Sequence, residues 1–340
     1  VNTIRVALLT GLVSFVAGCA QPTEPLAHNN PSKYTVAEDV LWGSPEGFDL
    51  TMDIYTPNSG KSAYPVLMIF HGGGWLINDK SIMDQMAQYV ATNGEYVVCN
   101  VDYRLLGDQD NTVTLDQIVG DVFGSVLWAK ENISGYSGDP DQVAVTGDSA
   151  GAQLSAMVVN LGYRLSSSAY SEQNLAFNPS YVPLGVASEK SDLTVQAAVL
   201  SYGAFDLYAR GGGSFETWKN PFWYLGGALP RGILGDGYSA QTHPALYKGV
   251  SPIHNIPASS ERILPPQLLT VGSEDSLTTP AMVKDYLQKL RTAGHSAEYW
   301  EHQGRGHAFL DSRASFAEDA TPALEVMLEF LDGVFYSEET

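Results

Sequence analysis

The chain has 340 residues, 44% of them apolar and 16% charged, enough to build one large α/β domain or two small ones. Its 18 Lys and Arg stand against 38 Asp and Glu, a formal charge of −20. That balance excludes nucleic acid as a partner and leaves no electrostatic attraction to an anionic membrane surface.

Residues 1–18 are a sequence of another kind. Arg5 supplies a positive start, Val6 to Val16 form an apolar run, and small residues lead into Cys19. The run is too short to span a bilayer and reads as a secretory leader. A cysteine directly after Ala17-Gly18 resembles the bacterial lipobox, which implies that Cys19 is lipidated and becomes the mature N-terminus. Residues 19–33, rich in Pro, Asn and small polar types, read as a tether. The expected location is the bacterial cell envelope, periplasm or outer membrane, with the membrane reached through the anchor on Cys19. Cys99 is then the one other cysteine, and no intramolecular disulfide is expected.

The remainder, 34–340, reads as a single domain. Tyr34 to Trp42 and Phe48 to Tyr55 alternate apolar and polar residues around a Gly/Pro turn, a hairpin signal. Pro65 to Phe70 is a continuous apolar strand of the kind buried on both faces, and it runs into His71-Gly72-Gly73-Gly74-Trp75. Helices are predicted near Lys80–Thr92 and Leu115–Glu131, with a strand at Glu95–Val101 between them and Asp102-Tyr103-Arg104-Leu105 just after it. Gln142 to Val145 is a strand, and Ala150 to Val159 a helix. Residues 161–195 read as a polar surface excursion. Strands follow at Val195–Leu200, Gln267–Val271 and Ala297–Glu301, with helices near Pro280–Ala293 and Glu318–Phe335. Residues 204–255, rich in Gly, Pro, Trp and Tyr, are too apolar for a linker and read as a lid. Eight strands, mostly alternating with helices, predict a mostly parallel sheet with helices on both faces.

Between strand and helix stands Gly147-Asp148-Ser149-Ala150-Gly151, a Gly-x-Ser-x-Gly turn. A turn this tight strains the serine and requires glycine two residues either side, because a side chain there meets the neighbouring strand or helix. A serine hydroxyl is a weak nucleophile at neutral pH and needs a base, an orienting acid and oxyanion donors. His307, in a glycine-rich loop after the last strand, is placed to be the base; His71, His295 and His302 are its rivals. Asp275, after the penultimate strand, is favoured as the acid over Glu274. The order Ser149, Asp275, His307 is that of the α/β-hydrolase triad. Gly72 and Gly73, with the N–H of Ala150, are the expected oxyanion donors. A glycine run after a strand also suits phosphate, but no Gly-Lys-Ser/Thr follows.

His-Gly-Gly-Gly-Trp, Asp-Tyr-Arg-Leu, Gly-Asp-Pro-Asp-Gln-Val-Ala-Val-Thr-Gly-Asp-Ser-Ala-Gly and the Asp275 and His307 loops together resemble the hormone-sensitive-lipase type of bacterial carboxylesterase. The resemblance spans about residues 60 to 330 and implies an eight-stranded α/β-hydrolase, a Ser-Asp-His esterase needing neither cofactor nor metal. Two departures stand out. Leu106-Gly107 replaces the family's Ala-Pro after Tyr-Arg-Leu, and the N-terminal region offers no helical arm for the lid. A reduced lid suggests an open pocket, for which Tyr202, Trp218, Phe222 and Trp223, with Phe215 and Tyr224, are candidates. The expected activity is hydrolysis of short-acyl esters of small alcohols through an acyl-enzyme. The alternatives are removal of acetyl or feruloyl groups from carbohydrate and, without catalysis, a small-molecule receptor on the same fold.

Overall fold

Four runs without an exposed residue set the middle of the sheet: β3 (Tyr64–Phe70), β4 (Val97–Val101), β6 (Ala197–Ser201) and β7 (Gln267–Gly272). Strands buried on both faces need helices above and below, and the chain supplies them. The first two strands are β1 (Tyr34–Gly43) and β2 (Leu50–Pro57); β5 (Gly138–Asp148) lies mid-sheet and β8 (Ala297–His302) closes the far edge. The order is β1-β2-β4-β3-β5-β6-β7-β8. β2 pairs antiparallel with both neighbours, and every other pairing is parallel. This is a computed structural model, and it describes residues 33–164, 184, 193–211 and 214–337. The leader, Cys19 and the tether to residue 32 lie outside the described residues, as does most of the 161–195 excursion.

The helices are α1 (Asp84–Asn93), a short α2 (Asp108–Asn111), α3 (Leu115–Asn132), α4 (Ala150–Leu161), α5 (Leu207–Gly211), α6 (Pro221–Leu225), α7 (Pro244–Gly249), α8 (Pro280–Thr292) and α9 (Phe316–Phe335). α1 packs on α9, and α3 packs on α4, one pair on each face of the sheet. α8 joins the α3–α4 face, where the amide of Asn160 on α4 donates to the Tyr286 hydroxyl on α8 at 3.1 Å. α3 starts at a capping box, with Thr114 and Gln117 exchanging side-chain and backbone bonds.

Short helices α5, α6 and α7 make up the lid, and Arg231 between them fastens it to the loop after β4. Its guanidinium donates to the carbonyls of Leu106 (2.8 Å), Asn111 (2.7 Å) and Val113 (2.5 Å). Gly107 lies beneath the lid, where a Cβ would stand 3.0 Å from that of Ala228. The Leu106-Gly107 departure therefore falls where the lid is fastened. Arg104, fully buried, forms a two-pronged pair with Asp121 of α3 at 2.7 and 2.8 Å. Tyr103 donates its hydroxyl to the carbonyl of His71 and stacks on that ring at 4.3 Å. The Asp-Tyr-Arg-Leu motif thus ties the glycine loop after β3 to α3.

Candidate functional site

Ser149 stands between β5 and α4 at φ 50°, ψ −110°, a conformation that costs an L-residue strain. Its surroundings over-determine it. The Ser149 N–H donates to the Ser201 carbonyl at 2.9 Å, and its carbonyl accepts from Gln153 and Ala204, each at 3.3 Å. A Cβ on Gly151 would lie 1.8 Å from the carbonyl oxygen of Phe70, and one on Gly147 2.5 Å from the same atom. Both glycines of the motif are needed for α4 to lie this close to β3 and β5.

His307 Nε2 is 2.9 Å from Ser149 Oγ, and its Nδ1 is 2.7 Å from Asp275 Oδ2. Asp275 is an acceptor when ionised, so Nδ1 carries the proton and Nε2 is left to accept from the serine hydroxyl. Asp275 also accepts from the N–H groups of Leu277 (2.8 Å) and Thr278 (2.9 Å) and from the Thr278 hydroxyl (3.0 Å). Burial alone would raise its pKa, but His307 and these donors outweigh it and hold the carboxyl below the ordinary value. Asp275 is buried and Glu274 exposed, which separates the two rivals. The three rival histidines are structural. His295 Nε2 donates to the Pro257 carbonyl (2.7 Å), His302 Nε2 donates to the Asp319 backbone carbonyl (2.8 Å), and His71 is buried against Gly72 and Tyr103.

Of the expected oxyanion donors, Ala150 lines the same pocket as Ser149. Gly72 is engaged elsewhere: its backbone N–H donates to the buried Asp148 carboxyl, and a Cβ there would lie 2.3 Å from Asp148 Oδ2. Gly74, which the sequence analysis passed over although it is the third glycine of the run, lines the pocket in its place. Gly73, at φ 120°, carries the turn between them, and its carbonyl caps the N–H groups of Leu76 and Ile77. Trp75 donates to Gln153 of α4 at 3.0 Å, which fixes the loop to the elbow helix.

The pocket is a cavity of about 80 Å³ walled by Trp75, Ala204, Leu207, Phe215, Phe222 and Ile233 together with polar groups. Of the six pocket candidates Phe215 and Phe222 line it; the Phe222 ring covers Gly74, where a Cβ would come within 2.9 Å. Trp223 is instead fully buried in the lid, its indole N–H donating to the Phe215 carbonyl at 2.8 Å. Trp218 is 70% exposed and Tyr224 79%. Tyr202 lies beneath the site. Its ring meets that of His307 edge-on at 4.8 Å, and its hydroxyl accepts the Leu310 N–H at 3.2 Å, so it supports the histidine loop.

Residues 52–290 match the BD-FAE family. The chain belongs to that family. It is similar to esterase LipQ of Mycobacterium tuberculosis, 28% identical over 280 residues that are 80% of this chain and 56% of LipQ. It is also similar to carboxylesterase NlhH of the same organism, 33% identical over 140 residues, 41% of each chain. The chain thus spans about half the length of these curated relatives. Its fold is the α/β-hydrolase fold of Thermogutta terrifontis esterase 2, with a TM-score of 0.65 at 21% identity, covering 91% of this chain and 97% of that one.

Proposed function

We propose that this BD-FAE family member is a serine carboxylesterase that hydrolyses short-acyl esters through an acyl-enzyme. The observation that carries the reading is the unbroken relay from Ser149 Oγ through His307 to Asp275, opening onto a small, largely apolar pocket. In this mechanism His307 Nε2 takes the serine proton as Ser149 Oγ attacks the ester carbonyl. The oxyanion is held by backbone N–H groups of Gly73, Gly74 and Ala150. The alcohol leaves with the proton from His307, and water repeats the sequence on the acyl-enzyme. Asp275 keeps the imidazole in the tautomer that accepts from serine and stabilises its cation.

The cavity supports short acyl groups. A water-sized group needs roughly 10–15 Å³ of such space, so about 80 Å³ holds a chain of only a few heavy atoms. Thermogutta terrifontis esterase 2 has been solved with propionate and with butyrate bound. A second reading, removal of acetyl or feruloyl groups from carbohydrate, draws support from Trp218, Tyr224, Leu225 and Leu229, exposed on the lid beside the pocket residues Asn220 and Phe222. Those faces suit a bulky, flat alcohol portion.

One panel tests both: p-nitrophenyl acetate, butyrate, octanoate and laurate beside acetylated xylo-oligosaccharides. We expect kcat/KM to peak at acetate or butyrate. A peak at laurate would contradict a short acyl pocket, and a much higher kcat/KM on the oligosaccharides would favour the carbohydrate reading.

A further inference from the structure

Six residues that line the pocket carry hydrogen-bonding side chains: Trp75, Ser149, Arg210, Glu216, Asn220 and Thr278. Five have defined tasks. Trp75 donates to Gln153. Ser149 and Thr278 belong to the relay. Asn220 donates to the Phe215 carbonyl and accepts from the Phe222 N–H, both at 3.1 Å. Glu216 Oε1 accepts from the Ile233 N–H at 2.7 Å and from the Tyr247 hydroxyl, which binds it into the lid. Burial raises its pKa and so weakens its hold on negative charge.

Arg210, on α5, is different. Its Nη2 donates to the Leu277 carbonyl and approaches Met282 Sδ at 3.3 Å. Nε and Nη1 make no hydrogen bond among the described residues, and no carboxylate among them lies within 4.0 Å of the guanidinium. The nearby acids are occupied: Asp275 holds His307, and Asp206 accepts from the Ala209 N–H and contacts His254. An arginine stays protonated throughout the working pH range. The result is a half-used cation in a wall of aromatic and aliphatic groups, on a molecule whose net charge is strongly negative.

A planar guanidinium with open donors is matched in geometry and charge by a carboxylate. We propose that the pocket selects esters carrying a second, free carboxylate, which pairs with the open side of Arg210 while Ser149 attacks the ester carbonyl. The inference rests on the ester-hydrolase reading above. The carboxylate comes from either half of the ester: from the acyl group, as in a half-ester of a short dicarboxylic acid, or from the alcohol, as in an O-acylated hydroxy acid.

The rival role is a latch. Through Leu277, whose N–H donates to Asp275 Oδ1 at 2.8 Å, Arg210 also joins the lid to the acid loop. Two matched pairs separate the roles. Monoethyl succinate against ethyl 4-methylpentanoate puts the charge on the acyl side, and 4-acetoxybenzoate against 4-isopropylphenyl acetate puts it on the alcohol side. A hydrogen bond to a charged group is worth about ten- to a hundred-fold. In one arm the wild-type ratio of charged to neutral kcat/KM should therefore reach about tenfold or more, fall to about one in Arg210→Gln, and recover in part in Arg210→Lys. A ratio near one in both arms overturns the proposal. So does a ratio that survives Arg210→Gln while both members slow together, the signature of a latch. No turnover of any of the four esters by folded wild-type protein would overturn the ester-hydrolase reading, and this inference with it.

Discussion

Behind the Ser149–His307–Asp275 hydrogen bonds lie two carboxyls that have no part in the proposed mechanism. Asp148, next to Ser149, is buried against Gly72, and its Oδ1 has no hydrogen-bond partner among the described residues. Asp311, four residues after His307, is pushed up to about 6 by burial, with Arg313 and His307 pulling the other way. Burial and the charge of Asp311 raise Asp148 in the same direction. An acid whose folded pKa exceeds its unfolded value binds more protons folded than unfolded, so stability falls as pH rises across the gap. For Asp311 that stability is present below about pH 4 and lost as pH rises through about 6. Asp275, held below its ordinary value, acts the opposite way at lower pH: its stabilisation is present above about pH 4 and lost as pH falls through the folded pKa. We expect Asp311→Asn to melt above wild type at pH 8, with the gap closing by pH 4. A gap of equal size at both pH values would assign the effect to something other than this titration.

Each strand and long helix was legible in the sequence because it carries its own period. β3 is an unbroken apolar run, β4, β6 and β7 are mostly apolar, with Asn100, Ser201, Gln267 and Thr270 as their polar residues, and the edge strand β1 shows the mixed exposure of a strand open on one side. The lid helix α6 offers no period to read. In its five residues, Phe222 meets the pocket, Trp223 the core and Tyr224 the solvent, because neighbours on a helix point about 100° apart. Composition marks all three alike, and what the helix packs against alone tells them apart. The elbow helix is the reverse case, fixed by sequence down to single atoms. Gly151→Ala forces a methyl group into the Phe70 carbonyl, and overpacking against backbone costs about 3 kcal/mol or more. That predicts a melting temperature lower by about 5 °C in a domain of this size, read by circular dichroism. A variant that melts with wild type would mean that α4 can shift away from β3 without loss.

Across the whole molecule, residues far apart in the chain meet at one end of the sheet: the glycine loop after β3, the elbow after β5, the acid loop after β7 and the histidine loop after β8. Parallel strands make this inevitable, since their C-terminal ends all open on one side. The chain order of Ser149, Asp275 and His307 therefore carries spatial information in itself. Gly74 and Arg210 were not legible, because what distinguishes them is a place in the pocket wall, and the lid alone sets that place. The central claim is that this assembly transfers an acyl group to Ser149. Its most direct test is rapid mixing of wild-type protein with p-nitrophenyl butyrate, followed by acid quench and mass spectrometry of the peptide carrying Ser149. The account predicts one butyryl group on that peptide, formed with p-nitrophenol release, and neither in Ser149→Ala. Undiminished turnover by Ser149→Ala, or turnover by wild type with the butyryl group on another residue, would contradict it.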